Sequence, residues 1–180
     1  MNPQGALHLL INVAFDLFIF LLLTRFLLQL VRADFYNPLS QFVVKATNPL
    51  LVPMRKLLPS QGAVDVAALV AVVALVVIKL VLLIMLTYGA LRVSPALLLV
   101  SAIKMLASTL LNYLFWAIIL RIVLSWVSPD PRNPVTLVVA QLTEPIMAPV
   151  RKILPPMGGL DLSPILILLA IQLLQVLFGL

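Results

Sequence analysis

VAALVAVVALVVIKLVLLIML, residues 66–86, carries a single charged side chain, Lys79, in an otherwise apolar run. A helix rises 1.5 Å per residue, so a run of this length spans the roughly 30 Å hydrocarbon layer of a bilayer. Three more apolar stretches run from Leu7 to Val31, from Ser101 or Ile103 to Val127, and from Ser163 to Leu180. The last is short and would cross with little tilt. All four are continuous rather than alternating. This predicts helices, each satisfying its own backbone, and argues against a barrel.

Composition agrees with a lipid solvent. Of 180 residues, 63% are hydrophobic and 10% charged, with a mean hydropathy of +1.21. A soluble domain of this size cannot hide so much apolar surface. The net charge of +6 sits beside the apolar runs, which points to topology and anionic headgroups as partners and not to nucleic acid. The N-terminal run has no basic leader and contains Asp16, so it is expected to remain as a helix and not to be cleaved. There is no cysteine, and His8 is the only histidine. Thiolate sites, multi-histidine metal sites and bis-histidine haem are therefore ruled out within one chain. No phosphate loop or nucleophile triad is evident either. The expectation is a non-enzymatic protein without a cofactor.

An internal duplication organises the chain. Residues 25–65 align without a gap on residues 121–161, with 16 of 41 positions identical. The identities include Arg25/Arg121, Asp34/Asp130, Asn37-Pro38/Asn133-Pro134, Thr47/Thr143, Pro49/Pro145, Pro53/Pro149, Arg55-Lys56/Arg151-Lys152, Pro59/Pro155, Gly62/Gly158 and Asp65/Asp161. Shared hydrophobicity alone does not produce such a match. Each copy holds two spans, so both enter the membrane from the same side and the repeats are parallel. The predicted fold class is an all-α membrane protein with four transmembrane helices in two parallel two-helix repeats. The first repeat covers residues 7–84 and the second 103–180, joined by an external connector at 85–102.

Charge sets the predicted orientation. The loop between the first two spans has Arg32, Lys45, Arg55 and Lys56, and its counterpart has Arg132, Arg151 and Lys152. The other side offers Arg92, with Lys104 near it. The positive-inside rule places the long loops in the cytoplasm of a bacterial inner membrane and both chain ends outside. The loops are too apolar for free linkers, and Pro49, Pro53, Pro145 and Pro149 interrupt them. Each is expected to form two short helices lying in the membrane interface. Tyr36 and Trp126 suit that level. Ser163 as N-cap and Pro164 as first helical residue are expected to open the fourth span, a signal replaced by Ala67 and Ala68 in the first repeat.

The charged and polar residues supply the candidate sites. Arg55, Lys56, Arg151 and Lys152 are candidates for binding anionic lipid or a protein partner. Asp65 and Asp161 are expected to shape the turns into the following spans. Arg25 and Arg121, two turns before the ends of their spans, either snorkel or bond Asp34, Asp130 or a carbonyl freed by proline. Asp16 and Lys79 lie at similar depth and form a candidate intramembrane pair. Their counterparts are Asn112 and Gln175, with Asn12 matched by Ser108 and His8 by Lys104. The plain alternative is interhelical packing.

Arg121-Ile-Val-Leu-Ser-Trp126, Asn133-Pro134, Thr143-Glu144-Pro145, Pro149-Val-Arg151-Lys152-Ile-Leu-Pro155, Gly158 and Asp161-Leu-Ser-Pro164 together resemble the YggT family of bacterial and plastid membrane proteins. The first copy departs from the second at Asn48 and Ala68. The resemblance implies no catalytic residue. It implies roles in cell division or envelope organisation, osmotic stress tolerance and, in plastids, thylakoid biogenesis. Two function classes follow. One is a membrane organiser or assembly factor working through basic interfacial loops; the other is a small channel or transporter, as a homo-oligomer.

Overall fold

The computed structural model describes residues 3–58, 64–89, 93–128, 130, 132–154 and 161–180. Pro59, Gly62, Arg92, Pro155 and Gly158 lie outside them. Among the described residues the regular structure is helical: α1 (Pro3–Leu30), α2 (Pro38–Leu57), α3 (Val66–Tyr88), α4 (Pro95–Val127), α5 (Pro134–Ile153) and α6 (Ser163–Phe178). Three of these, α1, α3 and α4, are long and apolar enough to cross a membrane; α6 is apolar but has 16 residues. Helix α4 starts at Pro95, inside the stretch expected to be connector.

Each long loop contains one 20-residue helix where two short ones were expected. The prolines explain why the helix survives. Pro49 and Pro53, like Pro145 and Pro149, are four residues apart, so each pair lies on one face, and that face is exposed. A proline frees the carbonyl four residues earlier. Here those are the carbonyls of Lys45 and Pro49 in α2, and of Gln141 and Pro145 in α5, all on the outer side. The opposite face keeps its ladder and is buried through Val43, Thr47 and Leu51 in α2, and Val139, Thr143 and Met147 in α5. Thr47 and Thr143 each donate to the carbonyl one turn back, Val43 O and Val139 O, at 2.7 Å.

The duplicated Asp-x-x-Asn-Pro segment is a helix-starting device. Asp34 Oδ1 accepts from the Tyr36 amide and Asp130 Oδ1 from the Arg132 amide, both at 2.9 Å. Asn37 Oδ1 accepts from Leu39 N and Asn133 Oδ1 from Val135 N, also at 2.9 Å. The Asn carbonyl thus caps an orphan amide while the proline after it starts the helix without needing a donor. At the end of α1, Arg32 takes a left-handed φ of 53°, which lets Ala33 N reach Leu28 O at 2.9 Å.

Helix α6 does not begin as expected. Leu162 occupies the N-cap position without a side-chain bond, and Ser163 is already helical, with Pro164 following it. The Asp161 carboxylate accepts the Ser163 amide at 3.0 Å instead. A serine hydroxyl caps amides two or three residues further on and cannot serve its own, so the carboxylate two residues upstream supplies the acceptor for this first amide. In the first repeat Asp65 is itself the N-cap of α3, accepting from Ala68 N at 3.2 Å. The start signal that seemed absent at Ala67 and Ala68 lies in the preceding aspartate.

Packing divides the chain into two compact units. One comprises Met1–Phe26 and Val43–Ala107, the other Leu27–Phe42 and Ser108–Leu180. The first unit is centred on Ile19, Leu22, Leu51 and Val76, all nearly inaccessible. The second has a core of Ile118, Met147, Ile167 and Ile171, flanked by Leu114, Phe115 and Val150. In that second unit the Asn37 amide donates to Pro134 O at 2.9 Å, and Gln141 Oε1 accepts from Asp34 N at 3.2 Å. The turn that follows α1 therefore packs with α5.

Candidate functional site

The duplicated charges converge at one place in each unit, where the end of α2 or α5 meets the start of the helix after it. In the second unit Arg121, on α4, donates to Thr143 Oγ1 at 2.7 Å and to Glu144 Oε2 at 2.8 Å, both on α5. Arg151, near the end of α5, donates to the other Glu144 oxygen at 2.8 Å and, through Nε, to Asp161 Oδ2 at 2.8 Å. Asp161 in turn holds the first amide of α6. One chain of charge-assisted bonds thus ties α4, α5 and α6 together. Such bonds are short and about twice as strong as neutral ones.

The first unit uses the same positions with one acid fewer. Arg55, near the end of α2, bonds Asp65, and Arg25 Nε on α1 stands 4.0 Å from the same Asp65 oxygen. Asp65 is completely buried and also caps α3. The counterpart of Glu144 is Asn48, which bonds neither arginine. Arg25 Nε and Arg55 Nε are buried without a hydrogen-bond acceptor.

Asp34 and Asp130 are not the partners of Arg25 and Arg121. Both aspartates are engaged by amides two residues on, at the turns before α2 and α5. Nor does Arg121 use a carbonyl freed by proline. Its backbone contact is Ala140 O at 3.4 Å, whereas the freed carbonyls belong to Gln141 and Pro145. The Arg-Lys pairs also divide. Arg55 and Arg151 turn inward onto carboxylates, with side chains 28% and 30% accessible, while Lys56 and Lys152 are exposed. Sequence reasoning passed over Glu144 as a site residue. Its spacing of seven from Arg151 puts both on one helix face, a signal that was readable.

The electrostatics of the second clamp follow from its geometry. Burial raises the Glu144 pKa, but hydrogen bonds and charge from Arg121 and Arg151 outweigh it and hold the carboxyl below its ordinary value. Asp161 is also lowered, against a burial effect, by bonds from Arg151 and Ser163. Burial lowers the Arg151 pKa, yet Asp161 and Glu144 raise it overall. A cleft of about 530 Å³ opens beside this clamp, lined by Arg121, Arg151 and Asp161 on one side and by Trp126, Met147 and Pro164 among others.

Inside the long helices, Lys79 of α3 places Nζ 2.6 Å from Asp16 Oδ1 of α1, and His8 Nε2 lies 3.3 Å from Thr87 Oγ1. In the second unit Gln175 Nε2 donates to Asn112 Oδ1 at 3.0 Å, and Asn112 also donates to Ser108 Oγ at 3.3 Å. Asn112 and Gln175 occupy the positions equivalent to Asp16 and Lys79. Among the described residues no group of three or more metal-binding side chains is present.

Apolar helices of spanning length, joined by amphipathic helices with arginine–carboxylate clamps at their ends, define a helical membrane protein. The chain belongs to the CCB3/YggT family, whose model matches residues 4–86 and 100–180. It is 49% identical to an uncharacterised protein of Pseudomonas aeruginosa, over 90% of this chain and 82% of the relative. An uncharacterised protein of Vibrio alginolyticus, named for the proC 3' region, is 41% identical over 98% and 95% of the two chains. The uncharacterised protein YggT of Escherichia coli is 34% identical over 96% of this chain and 88% of the relative. No solved structure matches.

Proposed function

We propose that this protein is a non-enzymatic organiser or assembly factor of the bacterial inner membrane, acting through two basic interfacial helices on the cytoplasmic face. In this reading α6 is a fourth, short span, the two repeats are parallel, and both chain ends lie outside. The observation that carries it is the clamp. In each unit an arginine from a long helix and an arginine near the end of α2 or α5 share a carboxylate, Asp65 in the first and Glu144 in the second, and the second of these arginines also holds the aspartate that starts the next helix. This fixes α2 and α5 as rigid brackets, with Lys56 and Lys152 and the proline face turned outward. Freed carbonyls on that face require water or headgroups, which favours the interface over the hydrocarbon. A bracket of this kind suits docking to anionic lipid or to a protein partner.

The polar groups within the long helices support the same reading, since they are satisfied in pairs. A transport reading, as a homo-oligomeric channel for ions or osmolytes, draws on the line formed by Asp16–Lys79 and His8–Thr87 along one pair of helices. Ion flux in proteoliposomes tests the two. The organiser predicts no flux from folded protein. It also predicts site-specific photo-crosslinks to lipid or protein from positions 56 and 152 in cells. Selective flux that is lost in an Asp16→Asn, Lys79→Gln double variant would establish transport instead.

A further inference from the structure

The two clamps differ by one charge, and that difference points to a ligand. In the second unit two arginines, Arg121 and Arg151, are balanced by Glu144 and Asp161. In the first unit Arg25 and Arg55 face Asp65 alone, because Asn48 stands where the second copy has Glu144. The first clamp is left with one positive charge in excess, in a setting where an unpaired charge is costly. It is also an acceptor short. Arg25 Nε and Arg55 Nε are buried donors with no acceptor, and no carboxylate bridges the two guanidinium groups from the interior of α2 as Glu144 bridges Arg121 and Arg151 from α5. Buried donors are nearly always satisfied, so orphans mark a place where an acceptor belongs.

We infer that the first unit binds an anionic phosphate group between Arg25 and Arg55, in the position that the Glu144 carboxylate fills in the second unit. The Glu144 carboxylate bridges its two arginines with one oxygen each, both at 2.8 Å. A phosphate diester offers the same two-oxygen, single-charge edge, and guanidinium groups match it. The site lies where α2 ends beside the exposed Lys56, the level at which phospholipid phosphates are found if α2 lies in the interface. The inference rests on that placement of α2 and not on the organiser role.

The test uses the full-length protein in a maltoside detergent, which carries no phosphate, scored for binding of phosphatidylglycerol in one arm and of inorganic phosphate in the other. Asn48→Glu supplies the missing carboxylate and should weaken binding about tenfold, with thermal stability kept or raised. Asn48→Gln, equal in size but neutral, should bind as the unaltered protein does. Binding of phosphatidylglycerol alone identifies a lipid phosphate, and binding of inorganic phosphate identifies a soluble anion. Undiminished binding by folded Asn48→Glu, or equal loss in Asn48→Gln, overturns the site. A Lys56→Gln, Lys152→Gln variant separates this site from general attraction to anionic surfaces. It lowers the overall affinity for anionic lipid but leaves the component sensitive to Asn48→Glu.

Discussion

Lys79 Nζ lies 2.6 Å from Asp16 Oδ1, and the lysine side chain is 7% accessible while the aspartate is 57% accessible. Both members depend on the pair, because the lysine is enclosed by protein and the accessible face of a spanning helix meets lipid. Removing Asp16 as Asp16→Asn strands a buried ammonium and should destabilise the protein by about 3 kcal/mol. The double variant Asp16→Asn, Lys79→Gln recreates the neutral pair found at Asn112 and Gln175 and should recover most of that loss. Thermal unfolding in a single detergent, run as a double-mutant cycle, measures both. Additive losses, with the double variant destabilised by the sum of the two single variants, would show that the pair is not coupled.

Replacing Arg121 by Lys keeps the charge but loses the fork that reaches Thr143 and Glu144 together. The expected cost is about 2 kcal/mol, the size of a charge-assisted bond in a partly buried place. Arg25→Lys should cost less, because the first clamp lacks the corresponding glutamate and Arg25 makes only the longer contact to Asp65. Melting temperatures of the two variants give the order directly. A side chain that merely snorkels would tolerate both changes alike.

Acid should open the second clamp. Glu144 and Asp161 have folded-state pKa values below their ordinary ones, so their contribution to stability is present above the unfolded pKa and disappears as pH falls through the folded value. The window therefore lies below the usual carboxylate range of about 4. The raised pKa of Arg151 contributes fully at all lower pH and adds no slope there. Glu144→Gln should flatten the acid limb of a stability profile; a limb unchanged by that variant would place the transition elsewhere.

Lys56 and Lys152 are exposed, whereas their neighbouring arginines are engaged by carboxylates. Changing both lysines to Gln should weaken association with phosphatidylglycerol-rich bilayers by about 1 kcal/mol per charge. Changing Arg55 or Arg151 should instead lower the melting temperature. Lipid co-purification read beside thermal unfolding distinguishes the two effects, and the reverse pattern would refute this division of the Arg-Lys pairs.

Much of this architecture was legible before any coordinates. Apolar length located α1, α3, α4 and α6, and the duplication picked out the residues of both clamps except Glu144. Proline was misleading. Residues 49, 53, 145 and 149 suggested breaks, yet spacing each pair by four puts the lost bonds on one exposed face and leaves a single helix intact. Ser163 and Pro164 looked like a helix start, but Asp161 supplies the acceptor. Local propensity identifies residues able to cap; which one does so depends on where the chain has turned.

The sequence by itself determined the solvent, the helical class and the duplication, because hydrophobic length and repeated polar residues are properties of the chain written in order. Only the tertiary structure decided the partners. The sequence offered Asp34 or a proline-freed carbonyl as the partner of Arg25, and it meets Asp65 because the chain returns to place the start of α3 beside α1. Residues 27–42, part of the first repeat by sequence, pack in the second unit through Asn37 and Pro134. Hydrogen bonds and ion pairs act over a few ångströms, and which groups come that close is set by the path of the backbone, not by position along it.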